Sequence, residues 1–410
     1  MHIKIAINVP TAMSFFSILF VIGFEKNALA VTIDSLSGAP NNGNLISISG
    51  SGYGSNSAVR TGDIQWLGDN IELGNVAAEF SPPPNWSYHR AETTFDAPHY
   101  DNLQAHSGNK SIRITYDLNK YGGYFNYNHE SAFGKVFYSA WMRIAGPSSW
   151  TCNGTSGGCQ YKNGGRITSG VIDLGRPQFY TSTWTEQGNF VVFMQTSSDT
   201  EPGVVSDYPH NTGSAECYQW MCPGPTGERR YLLNGPHDTV GPNTNSDMWV
   251  RIDWYAEESS PLVKNGTFKM VLQKPGEIIN TVLDFDKNLQ TTDGSDYYKS
   301  IFFGTYASGF SKLDTWWDDI FIQTGGQQRV EIGDTSEWST NTHREIQIPV
   351  SWSDNSISFI FNQGSFQNGS RAYLFVVNEA GSVNSGYPIT IGGQLSDIAP
   401  PTSPRNFNVH

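Results

Sequence analysis

Apolar and polar residues alternate with a period of two along most of this chain, and long stretches with helical period are hard to find. The clearest alternating segments are residues 110–116, 122–127, 135–144, 189–195, 248–256, 267–273, 298–308 and 315–323. Gly, Asn, Ser and Pro turns separate them, which predicts antiparallel strands packed as a sandwich. Further alternating runs stand near the two ends: LISISGSGYG at 45–54, then WSDNSI at 352–357, YLFVVNEAG at 373–381 and GYPITI at 386–391. Neither end carries enough strands to bury an apolar face by itself. The pattern therefore predicts one small sandwich built from both ends, 31–80 with 326–392, around an inserted module at 81–325. Insertion of this kind is tolerated where termini lie close together. Ser81-Pro-Pro-Pro84 is the expected boundary, and 393–410 reads as a Pro-rich linker or tail.

Composition agrees with an extracellular β protein. Of 410 residues, 13% are aromatic, 42 are Gly and only 15% are charged, a mix that does not suit a helical bundle. His2 and Lys4, the apolar stretch 13–24 and Ala28-Leu29-Ala30 resemble a secretory signal peptide at 1–30. That stretch is shorter than the roughly 20 apolar residues a membrane span needs. The expectation is export to the medium, cell surface or periplasm, with no membrane insertion after cleavage. A net charge of −13 repels nucleic acid and anionic membranes. Any acidic partner must therefore meet a local cluster such as Lys162 with Arg166, whose alternative is solvated loop charge. Cys152, Cys159, Cys217 and Cys222 in an exported chain suggest disulfides. Three connectivities are open, and 152–159 with 217–222 would each staple a short loop.

The segment at 45–54 resembles the opening strands of the IPT/TIG immunoglobulin-like fold. HSGNKSIRI at 106–114, VFYSAWMR at 136–143, WVRIDW at 249–254 and DTWWDDI at 314–320 resemble strands of the concanavalin A-like jelly roll. That jelly roll occurs in polysaccharide lyases and laminin-G-like glycan-binding domains. Together they imply an all-β protein: an antiparallel jelly-roll sandwich plus a small immunoglobulin-like β-sandwich formed by the two chain ends. They also imply a polysaccharide partner laid across the concave sheet, where aromatic faces stack on sugar rings and polar groups bond hydroxyls or carboxylates. Period two places Tyr298, Ser300, Phe302, Gly304, Tyr306 and Ser308 on one strand face, and Tyr124, Asn126 and Asn128 on another. Tyr124, Asn126, Tyr298, Phe302 and Tyr306 are the candidate glycan-binding residues, with core packing as the alternative for each aromatic.

Binding without catalysis is the expectation, with a β-elimination lyase and a surface adhesin or matrix protein as alternatives. RIDWYAE at 251–257 sits where jelly-roll glucanases carry Glu-x-Asp-x-x-Glu, but Arg251 takes the first Glu position. Asp253 and Glu257 stand about 13 Å apart along a strand, too far for glycosidase chemistry. Arg251 and Asp253 are expected to pair. The lyase strand Tyr-x-Lys-x-Gly-x-Tyr-x-Gln aligns here only through Gly304 and Tyr306. An elimination needs an acid, a base and a carboxylate neutraliser; Tyr306, as acid or base, His129 and Arg143 are the candidate catalytic residues, and His89 is a further conceivable participant. No cofactor is required. Asp314 with Asp319 would suit a structural Ca²⁺, with solvated turn carboxylates as the alternative. Adjacent Asp318 and Asp319 should point to opposite faces, leaving one to join Asp314.

Overall fold

Period-two sequence becomes strand almost everywhere in the protein's structure, a computed structural model. It describes residues 30–89, 97–117, 124–144, 159–168, 179–186, 189–196, 248–257, 266–278, 280–288, 298–303, 306–308 and 312–393. The signal-peptide segment up to residue 29 lies outside these, as do Cys152, Cys217 and Cys222 and the tail beyond 393; of Cys159 only the backbone is described.

In chain order the strands are β1 (Thr32–Ser37), β2 (Leu45–Ser51), β3 (Ile64–Trp66), β4 (Trp86–His89), β5 (His99–Asp101), β6 (Ser111–Asp117), β7 (Tyr124–Phe133) and β8 (Lys135–Ile144). There follow β9 (Cys159–Thr168), β10 (Phe179–Glu186), β11 (Asn189–Thr196), β12 (Trp249–Glu257), β13 (Gly266–Gln273), β14 (Asn280–Asn288), β15 (Tyr298–Phe303) and β16 (Tyr306–Ser308). The last are β17 (Lys312–Thr324), β18 (Arg329–Gly333), β19 (Arg344–Trp352), β20 (Ser356–Ile360), β21 (Arg371–Val377) and β22 (Tyr387–Thr390). Two helices of one turn or so, α1 (Ser57–Thr61) and α2 (Gly68–Leu73), flank β3. The described pairings are antiparallel. Among the described residues no helix is long and apolar enough to cross a membrane.

The two chain ends form one sheet system in the order β1-β2-β20-β19-β18-β21-β22. Leu45 pairs with Ile360 and Ser49 with Ser356, and Ser47 Oγ meets Ser358 Oγ at 2.8 Å. β19 belongs to both leaves: Arg344 to Gln347 pair with β18, and Ile348 onward with β20. A strand that switches sheets in this way closes a corner of a sandwich. Ile46 and Ile48 from the first end share a core with Val330, Leu374 and Val376 from the second. Gly50 allows this closure, because a Cβ there would fall 1.9 Å from the Thr32 carbonyl oxygen.

The jelly roll has two sheets. The outer sheet runs β11-β10-β9-β15-β7-β4, with β16 beside β9; the middle sheet runs β14-β13-β12-β8-β17-β6-β5, with β3 beside β17. Phe125, Tyr127, Ile301 and Phe303 of the outer sheet pack on Ile112, Tyr138, Ile252, Trp254 and Trp317 of the middle one. Passage into the jelly roll comes earlier than Ser81. β3 already pairs with β17, and Leu67, Ile71 and Phe80 sit in the jelly-roll core.

β8, β12 and β17 of the middle sheet are buried on both sides. Along β12, Val250, Ile252 and Trp254 face the outer sheet, while Tyr255 joins Phe137, Phe321 and the end sandwich's Ile346 in a separate apolar cluster. Arg251 and Asp253 lie on that second side and pair at 2.7 Å, as their spacing predicts. The end sandwich completes their charge network. Glu331 accepts a hydrogen bond from Arg329 at 2.6 Å and forms ion pairs with Arg251 at 2.8 Å and Arg344 at 3.1 Å, and Arg344 also reaches Asp253 at 3.4 Å.

Candidate glycan-binding face

On the side of the outer sheet that faces away from the core, β4, β7 and β15 bring together Ser87, Tyr124, Asn126, Asn128, Ser300 and Phe302. Their alternation follows from the inward set: Phe125 and Tyr127, Ile301 and Phe303 are core residues, so their even-numbered neighbours emerge on the other face. Three of these polar side chains close a ring. Ser87 Oγ donates to Asn126 Oδ1 at 2.9 Å, Asn126 Nδ2 to Asn128 Oδ1 at 2.7 Å, and Asn128 Nδ2 to Ser87 Oγ at 3.0 Å. Ser300 Oγ adds a fourth bond to Asn128 Oδ1 at 2.8 Å. Beside the ring, the Tyr124 and Phe302 rings meet edge-on at 5.2 Å. Asn126, Ser300 and Phe302 are buried; Tyr124 and Ser87 are half-buried and Asn128 is exposed. Tyr124 is thus the more exposed of the two rings, with the buried Phe302 beside it.

Strand register extends this row across the sheet. Asn126 opposes Phe302, Phe302 opposes Arg166, and Arg166 opposes Tyr180. Tyr306 opposes Lys162. Lys162 and Arg166, whose alternative in the sequence was loop charge, therefore occupy strand positions in β9, next to the tyrosine and phenylalanine candidates. Tyr298 opposes Phe133, and the register slips between Tyr298 and Ser300. The irregularity lies in β7, where the five positions from Phe133 to Asn128 match two from Tyr298 to Ser300 in β15.

The three catalytic candidates do not converge. His129 points between the sheets, its Nε2 3.2 Å from Asp63 Oδ1 and its ring against Tyr127 and Phe133. It lines a cleft of about 700 Å³ with Glu130, Lys135 and Thr324. Tyr127 beside it is pushed up to about 12, by burial first and then by Asp63 and Glu130, so it stays protonated at neutral pH. Arg143 lies on the other side of the middle sheet, opposite Trp249 and Trp316. It is eight positions along β8 from Lys135, about 26 Å at strand rise. Tyr306 belongs to β16 in the outer sheet.

The two calcium candidates also separate. Asp314 accepts from Thr115 Oγ1 at 2.5 Å. A bulge between Asp318 and Phe321, with Asp319 at φ 46°, breaks the strict alternation. Both Asp318 and Asp319 then turn to the His106–Ser107 segment: Asp318 Oδ2 accepts the His106 backbone N–H at 2.8 Å, and Asp319 Oδ1 accepts Ser107 Oγ at 2.9 Å. Burial raises both carboxyls above the usual range, and for Asp318 the adjacent Asp319 adds to it.

No family model matches the sequence, and no curated protein matches it. Solved structures with a similar course of strands include the alginate lyase Aly36B, 16% identical over 59% of this chain and 98% of that one, with a TM-score of 0.34. The PL-14 alginate lyase of Aplysia kurodai is 12% identical over 68% and 98%, TM-score 0.37. The endo-β-1,4-glucuronan lyase of the fungus Trichoderma reesei is 14% identical over 61% and 94%, TM-score 0.36.

Proposed function

We propose that this is an exported protein that binds an acidic polysaccharide along the outward face of the outer sheet. The observation that carries the proposal is the pre-formed ring of Ser87, Asn126 and Asn128 beside Tyr124 and Phe302. Fixed amide and hydroxyl groups next to an aromatic face match the mixed polar and apolar surface of a sugar chain. The register positions of Arg166 and Lys162 favour an anionic chain, since a protein of net charge −13 can attract one only through local cations. The end sandwich, read as an IPT/TIG-like frame, carries the jelly roll without entering this face.

A lyase is the second reading, and one observation favours it: the lysine missing from the strand of Tyr306 is supplied at the register position opposite it, by Lys162. Both are tested together. The full chain is run in native gels cast with alginate, glucuronan, a glycosaminoglycan or a neutral glucan, while absorbance of unsaturated uronate is followed in solution. Retardation by the uronate polymers alone, without product, is the expected result. Product that disappears in Tyr306→Phe would make the protein a lyase with Tyr306 in the chemistry. Equal mobility in every gel, from correctly folded protein, would refute both.

A further inference from the structure

Where the jelly roll meets the end sandwich, two histidines and a glutamate converge. His106 follows β5, while His343 and Glu345 bracket the start of β19, so the three come from both parts of the molecule. Their ligand atoms lie within 4.8 Å of one another. His343 Nε2 is 2.7 Å from Glu345 Oε1, and His106 Nε2 is 3.5 Å from the same oxygen. Ser365 Oγ stands among them, 2.9 Å from His343 Nε2, 3.2 Å from Glu345 Oε1 and 3.4 Å from His106 Nε2. We propose that His106 Nε2, His343 Nε2 and Glu345 Oε1 bind a Zn²⁺-class cation that fastens the jelly roll to the end sandwich.

The spacing fits. Ligands about 2.0–2.1 Å from a tetrahedral zinc stand about 3.3 Å from each other, between the 2.7 and 3.5 Å that separate the two imidazoles from Glu345 Oε1. The surroundings fit as well. A ligating histidine commonly gives its other ring nitrogen to a carboxylate, which orients the ring and strengthens the donor. His106 Nδ1 meets Asp319 Oδ2 at 2.8 Å, with the ring stacked on Trp141 at 3.7 Å. His343 is stacked on Phe366 at 4.0 Å. Glu345 is held at its far oxygen by Trp141 Nε1 at 3.2 Å.

Charge argues the same way. Asp318, Asp319 and Glu345 are all buried here. Among the described residues the ion pairs of Asp319 and Glu345 come from His106 and His343 alone, and Asp318 accepts backbone N–H groups of His106, Ser107 and Asp319. Buried carboxylates need paired charge or a metal, and a divalent cation supplies what two imidazoles do not. Two nitrogen donors select a borderline cation over Ca²⁺. The fourth position, marked by Ser365 Oγ, opens on a cleft of about 430 Å³ that Ser107, Gly364 and Gln367 also line.

The test uses tag-free full-length protein, stripped with a chelator and shown to be folded by circular dichroism. Zn²⁺ titrated calorimetrically should bind at one equivalent and raise the thermal midpoint, Co²⁺ should give the intense visible bands of a four-coordinate ion, and Ca²⁺ should not compete. His343→Ala should lose more than about 100-fold in Zn²⁺ affinity. Asp319→Asn, which keeps a residue tolerant of positive φ, should keep the Co²⁺ bands but lose about 10–100-fold. His129→Ala, outside the cluster, should bind as the parent does. No bound equivalent in the folded parent, weak six-coordinate Co²⁺ bands, or undiminished affinity in His343→Ala would each overturn the proposal.

Discussion

Replacing Glu331 by Gln removes one negative charge from a buried network of three guanidinium groups and two carboxylates. Glu331 and the side chains of Arg251 and Arg344 are at most 1% exposed, and Glu331 pairs with Arg251, Arg329 and Arg344 at 2.6–3.1 Å. After the substitution only Asp253 faces those three cations, and it reaches two of them, at 2.7 and 3.4 Å. Removing one partner of a buried pair costs roughly 3–5 kcal/mol, because the remaining charge cannot return to water. In a domain of this size one kcal/mol moves the thermal midpoint by about 2–4 °C, so the drop should be roughly 6–20 °C. The control is Glu257→Gln. Glu257 pairs with Lys135 at 2.9 Å, but both are about one-third exposed, and such surface pairs contribute about 0–1 kcal/mol. Calorimetric scans of the two variants beside the parent decide the matter. A Glu331→Gln midpoint no lower than that of Glu257→Gln would refute the account of the interface as a tightly desolvated ion network. Polysaccharide binding at low temperature should persist in both variants, since the outer sheet does not touch the network.

Two further outcomes are expected. Tyr124→Ala should weaken retardation in polysaccharide gels about tenfold, as a ring that covers a sugar face is worth roughly 1–2 kcal/mol; unchanged mobility would remove Tyr124 from the site. Stability should also fall on acidification. Burial alone would raise the Glu331 carboxyl, but Arg251, Arg344 and Arg329 hold it well below its ordinary value of 4.5. A depressed folded value stabilises fully above 4.5 and is lost as pH falls through the folded value. Asp318 and Asp319 act in the opposite sense, because burial raises them and acid relieves that cost. The parent's thermal midpoint should therefore decline below pH 4.5, and decline less in Glu331→Gln; a midpoint that rises in acid would show the aspartates to dominate.

Strands, and the meeting of the two chain ends, were legible because both rest on alternation, which survives in sequence. Tyr124 with Asn126, and Phe302 with Ser300, could each be grouped on one strand's face for the same reason, while the pairing of the two strands could not be read. What escaped depends on irregularity or on distant partners. The bulge after Asp318 cannot be seen in DTWWDDI, so Asp319 was matched to Asp314 and not to His106. β4 follows three prolines and is only four residues long, which hid Ser87. Arg251 and Asp253 were recognisable as a pair, but nothing near them announces Glu331, which arrives from the far end of the chain. His106, His343 and Glu345 share no spacing at all, since the fold assembles them across an interface between modules.

The connection between the modules explains why the end sandwich stands away from the outer sheet, where the proposed polysaccharide would lie. The chain enters the jelly roll through β3 and leaves it through β17, and these two strands are neighbours, with Ile64 opposite Gln323. Entry and exit therefore lie side by side, as an insertion requires. The crossing is locked by Asn56, whose Nδ2 reaches Gln323 Oε1 at 3.0 Å and the Gln328 carbonyl at 3.2 Å. Because β3 and β17 both belong to the middle sheet, that sheet must lie against the host sandwich. Its second side is consumed by the cluster of Phe137, Tyr255, Phe321 and Ile346 and by the arginine–carboxylate network. A motif on β12 that looks like half of a hydrolase site thus becomes an interface, and Arg143 on β8 stands opposite Trp249 and Trp316 within the middle sheet. The outer sheet sits two layers from the host, where Tyr124 and the Ser87–Asn126–Asn128 ring can meet a long polymer without obstruction from the end sandwich. An extended ligand such as the proposed polysaccharide needs an open face more than a deep pocket, and the topology keeps the end sandwich on the opposite side of the jelly roll from the outer sheet.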